Sequence, residues 1–125
     1  MFSRILREKP QVLSKITPVF GDVTKQKLAL SKSHLEKVLE ANLVFHVAAS
    51  LKLEYTLKPN LILNLVGTKN VIDIAKMMPD LNLMVHFSTG FCCPEQEILK
   101  EEIVEWPGDD PLEIIKLSEW MNEDT

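Results

Sequence analysis

Apolar positions along this chain follow two periods, and each switch between them marks an element. Ile5, Leu6, Val12, Leu13 and Ile16 recur at helical spacing and predict short amphipathic helical pieces around Pro10. Thr17-Pro18-Val19-Phe20-Gly21-Asp22-Val23 is a short apolar run ending at Gly-Asp, which predicts a strand leading to a loop. Over Ser33–Ala41, Leu35, Val38 and Leu39 share a helical face, and Ser33 with Glu36 has capping-box spacing. Asn42–Ala49 (NLVFHVAA) predicts a buried strand that closes on two small residues. Pro59–Met77 is the longest periodic segment, with Leu61, Leu65, Val71, Ile72, Ile74 and Ala75 on one broad helical face. Leu81–Ser88 (LNLMVHFS) predicts a third strand. Asp110-Pro111-Leu112-Glu113 opens a last helix, with Asp at the N-cap, Pro at N1 and Glu at N3, running through Trp120.

Strand, helix, strand, helix, strand is the order of a parallel sheet covered by helices. Consecutive rather than alternating apolar residues predict strands buried on both faces. The expected fold class is α/β, a Rossmann-like doubly wound parallel sheet, and 125 residues make one domain or part of one. Ligands of such sheets bind at the carboxyl ends of the strands. The positions that follow each strand are therefore the candidates: Gly21-Asp22, Ala48-Ala49-Ser50 and Ser88-Thr89-Gly90.

Composition narrows the classes. An apolar share of 46% supports a packed core rather than a disordered chain. The net charge of -4, with Lys and Arg scattered among Glu and Asp, argues against a nucleic-acid partner. Cys92 and Cys93 are neighbours, which matches no disulfide framework, C-x-x-C motif or zinc knuckle; a structural role in a reducing compartment is expected. Met1–Pro10, with Arg4, Arg7, Glu8 and Lys9, is not a signal peptide, and Leu61–Val66 is too short to span a bilayer. The chain by itself is expected to be soluble. His46 and His86 lie inside apolar strands with no second ligand at metal spacing, so both are expected in the core and no metal is expected. Glu95–Glu105 reads as a solvated acidic surface and Glu105-Trp106-Pro107-Gly108 as a turn.

Five pieces in order carry a resemblance. They are Gly21-Asp22-Val23, Val44-Phe45-His46-Val47-Ala48-Ala49, Asn64-Leu65-Val66-Gly67-Thr68, Val85-His86-Phe87-Ser88-Thr89 and the ending Glu119-Trp120-Met121. With the Phe2–Pro10 stretch, they make the chain resemble the extended short-chain dehydrogenase/reductases, and most of all their fatty acyl-CoA reductase branch with its male-sterility-type NAD-binding domain. The resemblance implies that residues 1–125 are a partial NAD(P)-binding domain of an oxidoreductase. It implies NADPH-dependent reduction of a fatty acyl-CoA to a fatty alcohol, in the peroxisome or at the endoplasmic reticulum membrane. By the same resemblance, Asp22 would accept a bond from the adenine amino group and Val23 would donate one from its backbone. Ala48 and Ala49 would line the cofactor's central region. Asn64 would hold a water-linked proton relay, and Ser88 or Thr89 would polarise the substrate carbonyl.

Departures from the family pattern matter as much. After Ser-Thr the chain has Gly90-Phe91-Cys92-Cys93 where the family usually has Ala-Tyr-Cys-Asn. The family's Gly-rich turn, which holds pyrophosphate on backbone N–H groups, cannot be built from Gly21, Gly67, Gly90 and Gly108. Its Tyr-x-x-x-Lys pair has no match, because Tyr55 precedes Ser88 and its nearest downstream lysine is Lys58. The expectation is thus a partial sheet lacking the first two strands and the C-terminal part, inactive alone. Its strand edges would be exposed and open to self-association. Two other readings stay open: a different extended reductase acting on a sugar nucleotide or steroid, and a non-catalytic interaction module.

Overall fold

The computed structural model describes residues 3–51, 57–90, 97–102 and 110–120. Tyr55, the Cys92-Cys93 pair, Glu105–Gly108 and Met121 lie outside the described residues.

The chain opens with helix α1 (Ser3–Glu8) and a 3-10 helix (Pro10–Lys15), the two pieces that the spacing around Pro10 predicts. Proline suits the start of the second because the first turn of a helix has no partner for its N–H.

Thr17–Val23 does not form the expected strand. Among the described residues no strand runs beside it, so its backbone groups have no ladder to join. It runs instead into a clasp, where Asp22 N–H donates to the Leu28 carbonyl at 2.8 Å. Leu28 belongs to a short 3-10 stretch (Gln26–Ala29) in which Lys27, Leu28 and Ala29 have φ of 50, 54 and 48°. Gly21 is needed by proximity here. A Cβ on it would lie 2.9 Å from the Leu28 carbonyl oxygen and 3.0 Å from Leu30 Cδ2. A left-handed alanine pays a steric penalty that glycine does not. Ala29→Gly is therefore expected to stabilise the chain by about 0.5–1 kcal/mol, after allowing for the freer unfolded glycine. A thermal midpoint that fails to rise would show that the left-handed turn does not persist in solution.

Helix α2 (Lys32–Leu39) is capped by Ser31, whose Oγ accepts from His34 N–H at 3.3 Å. This corrects the capping box placed on Ser33. Ser31 has the extended backbone of an N-cap, φ -62 and ψ 157°, whereas Ser33 is already helical. Leu35, Val38 and Leu39 are half-buried on one face as expected.

Strands β1 (Leu43–His46) and β2 (Leu83–His86) pair in parallel, in the register Leu43↔Leu83, Val44↔Met84, Phe45↔Val85 and His46↔His86. Both are shorter than the apolar runs that predict them. Between the strands lies the long periodic segment, as helix α3 (Leu57–Asn60), a π-helical segment (Leu61–Val66) and helix α4 (Gly67–Ala75). The π turn shows in the Gly67 N–H, which reaches back five residues to the Ile62 carbonyl. Helix α5 (Pro111–Trp120) follows its predicted start and packs on the π-helical segment. The architecture is α/β with a helical crossover between two parallel strands.

The core is thin. Ile74, Ala75 and Met78 are its buried apolar residues among those described, joined by buried His46 and Asn70. Helix α4 packs on β1 and on the left-handed turn, which places this core on one side of the sheet. The opposite side corrects the expectation of burial on both faces: Leu43, Phe45, Val47, Leu83 and Phe87 are 50–63% exposed. Among the described residues nothing covers them. Ile72, expected on the buried face, is also exposed at 37%.

Candidate active site

Parallel pairing in register brings the chain out of both strands at the same end of the sheet. Ala48, Ala49 and Ser50 leave β1 there, and Ser88 and Thr89 leave β2. They line a single cavity of about 430 Å³ together with Asn64, Thr68 and His86. The sequence-named residues Ala48, Ala49, Asn64, Ser88 and Thr89 are thus brought together. Asp22 and Val23 are not among them; they line a separate hollow of about 290 Å³ with Gly21, Leu28 and Leu30.

Asn64 reaches the cavity from the π-helical segment, a geometry frequent at functional sites. Its side chain brackets the backbone of one residue. Oδ1 accepts from Ser50 N–H at 2.8 Å, and Nδ2 donates to the Ser50 carbonyl at 3.3 Å. The loop after β1 is therefore fixed to the helix beside it. The Asn64 carbonyl in turn accepts the Thr68 hydroxyl at 2.6 Å.

Thr68 Oγ1 also lies 3.0 Å from His46 Nε2. The hydroxyl proton is already given to Asn64, so the imidazole is the donor in this contact and carries its proton on Nε2. His46 is 4% exposed, and its ring stacks on His86 with centroids 5.1 Å apart. Burial lowers the His46 pKa, and the charge of neighbouring His86 lowers it further. His86 itself is exposed, which corrects its placement in the core. It sits at the open end of the strand pair. It also forms part of a further hollow of about 500 Å³, shared with Asn64, Thr68, Lys69, Asp73, Lys76 and Asp110.

The lowered His46 pKa has a consequence for stability. The unfolded chain takes up a proton near the ordinary value of 6.5, while the folded chain resists it. Stability is thus complete above about pH 6.5 and falls as pH drops toward the lowered folded value. His46→Gln should flatten that slope in a pH series of thermal midpoints. An unchanged slope would place its origin elsewhere.

Asp22 performs turn chemistry. Its Oδ1 accepts from Thr24 Oγ1 at 2.7 Å and from Thr24 N–H at 2.9 Å, an Asx-type turn. The hydroxyl bond and then the backbone bond lower its pKa, with a smaller contribution from Lys25. Val23 is held through its carbonyl, which accepts from buried Asn70 Nδ2 at 2.8 Å. A Cβ on Gly67 would lie 3.2 Å from Val23 Cγ2, so α4 and the Asp22 loop meet closely.

Among the described residues no group of three His, Cys, Asp or Glu is placed to hold a metal ion, and no helix is long and apolar enough to cross a membrane.

The family profile described as male sterility protein, an NAD-binding domain, matches residues 1–124. The chain belongs to the male sterility protein family. Its similarity extends to fatty acyl-CoA reductase 1 of Gallus gallus, 33% identical over 125 residues, covering 98% of this chain and 24% of that protein. Fatty acyl-CoA reductase 1 of Homo sapiens is 32% identical over the same shares, and fatty acyl-CoA reductase 2 of Mus musculus is 29% identical over 124 residues. The chain therefore spans about a quarter of the length of the curated relatives it matches. No solved structure matches it. Membership of an NAD-binding family fits a ligand site at the carboxyl ends of parallel strands, where the cavity lies.

Three residues with structural work at these sites escape a reading of apolar periods: Thr68, Asn70 and His86. Thr68 stands four residues after Asn64, one helical turn away, and that spacing is the signal that could find it. His86 becomes visible only once the strand register is known.

Proposed function

We propose that the chain is part of the cofactor- and substrate-binding domain of an NADPH-dependent fatty acyl-CoA reductase, which reduces a long-chain acyl thioester to an alcohol. The cavity carries this reading, because it joins small residues, an anchored Asn and two hydroxyls at one end of a parallel strand pair. Its volume of about 430 Å³ suits part of a nucleotide cofactor together with a reacting carbonyl.

When bound, NADPH would supply the hydride that the carbonyl carbon receives, and two such transfers, the first with departure of coenzyme A as its thiol, would be needed to reach the alcohol. Ala48 and Ala49 present no side chain beyond Cβ, so that part of the cofactor can lie close to the backbone after β1. Asp22 and Val23, in their own hollow, take the adenine end, with the Asp22 carboxylate as acceptor and the Val23 N–H as donor. Ser88 or Thr89 donates a hydrogen bond to the carbonyl oxygen as negative charge grows on it. Asn64 fixes the loop that faces them and holds the water of the proton relay.

The test uses the longest natural polypeptide that contains these residues, incubated with NADPH and a long-chain acyl-CoA. Fatty alcohol and free coenzyme A are the expected products. Either Ser88→Ala or Thr89→Ala should lower kcat by roughly 10²–10³, the usual cost of losing a donor to a developing oxyanion, with little change in the KM for NADPH. Absence of alcohol from the unsubstituted enzyme, or full rates from both variants, would sink the proposal.

A further inference from the structure

The hydrogen bonds behind the cavity form one line that starts in the sheet and ends at the cavity wall. Buried His46 Nε2–H donates to Thr68 Oγ1 at 3.0 Å. Thr68 O–H donates to the Asn64 carbonyl at 2.6 Å. The Asn64 side chain then brackets the Ser50 backbone, accepting from its N–H at 2.8 Å and donating to its carbonyl at 3.3 Å. Each link constrains the next. A threonine hydroxyl has one proton, so the contact to the histidine fixes which way that proton points. A carbonyl in a π turn departs from the regular i→i-4 ladder, and a hydroxyl four residues on that bonds it competes with that ladder and favours the bent backbone. The turn in turn sets where the Asn64 amide projects.

We infer that His46 and Thr68 are positioning residues: together they hold the π-helical turn so that Asn64 keeps the Ser50 loop in place as a wall of the cavity. Neither touches a reacting atom through this chain of bonds. His46 acts as a neutral donor with its proton on Nε2, so a side chain with an N–H at the same reach can replace it. Thr68 acts through its hydroxyl, so serine can replace it and valine, equal in shape, cannot. The functional meaning of this inference rests on the reductase reading, but its geometry does not.

Hydrogen exchange of the 125-residue chain, read by mass spectrometry over a peptide covering residues 47–51, tests it whether the chain is monomeric or associated. Thr68→Val should speed exchange of the Ser50 amide by about five- to tenfold, the effect of losing one ordinary hydrogen bond. Thr68→Ser and His46→Gln should keep the unsubstituted rate, while His46→Leu should match Thr68→Val. Long-range proton–nitrogen NMR of the His46 ring should show the proton on Nε2. Three results would overturn the inference: Ser50 exchanging in the unsubstituted chain as fast as in an unfolded control, Thr68→Val leaving the rate unchanged, or a proton on Nδ1. Failure of the reductase reading looks different. In that case the full-length polypeptide makes no alcohol, yet Ser50 exchange still answers to Thr68.

Discussion

Titrated with NADPH, the purified 125-residue chain should show no saturation at millimolar cofactor. Dinucleotide sites of parallel sheets gain much of their affinity where a Gly-rich turn points backbone N–H groups and a helix N-terminus at the pyrophosphate. The glycines here, Gly21, Gly67, Gly90 and Gly108, stand too far apart in sequence to build such a turn. Gly67 is spent inside a helix against Val23, and Gly21 in the clasp under Leu28. Losing even two charge-assisted hydrogen bonds costs about 3–6 kcal/mol, roughly 10²–10⁴ in affinity. On the proposed reading, the contacts that remain would come from the Asp22 hollow and from the cavity after β1 and β2, two separate depressions that the pyrophosphate would have to bridge unaided. Calorimetry or cofactor fluorescence reads the result directly. Tight, saturable binding would mean that the chain holds the phosphates by some other group, and the account of its incompleteness would be wrong.

Local signals carried the elements that local energetics decide. Helix α5 begins where Asp110, Pro111 and Glu113 place it, because helix starts depend on a few neighbouring residues. The strands at Leu43 and Leu83 follow from apolar runs with no competing helical period. Thr17–Val23 has the same kind of run and no strand, since a strand needs a neighbour and sequence spacing does not supply one. Ser31 displaced Ser33 as the cap because an N-cap is chosen by backbone conformation, one step beyond the capping pattern. Of the positions that the carboxyl-end rule names, Ala48, Ala49, Ser50, Ser88 and Thr89 line one cavity, while Gly21 and Asp22 line another hollow. His46 and Thr68 were hidden for a physical reason. Their bond joins a strand to a helix 22 residues away, and only the parallel register and the π turn bring the two together.

The second large effect concerns association. The face of the sheet formed by Leu43, Phe45, Val47, Leu83 and Phe87 carries no polar side chain at these positions, and each of the five is at least half exposed. Burying one such side chain is worth about 1.5–3 kcal/mol. Two copies that cover the face would gain several of these increments at once, and β1 offers one further incentive. Its one partner strand among the described residues is β2, so within those residues its other edge faces no strand. Against this pull stands a core whose buried apolar members among the described residues are Ile74, Ala75 and Met78, too few to make the monomer strongly preferred. Sedimentation velocity should therefore show a mass that rises with concentration, and thermal unfolding should be broad. Phe45→Lys tests the cause. Phe45 points away from the side on which His46 meets Thr68, so a charge there leaves that contact intact while opposing any apolar partner. The variant should sediment as a smaller species at the same concentration and keep its secondary structure by circular dichroism. An unsubstituted chain that stays monomeric and unfolds in one sharp transition would show that the exposed face is tolerated in water. The interaction-module reading would then lose the surface on which it depends.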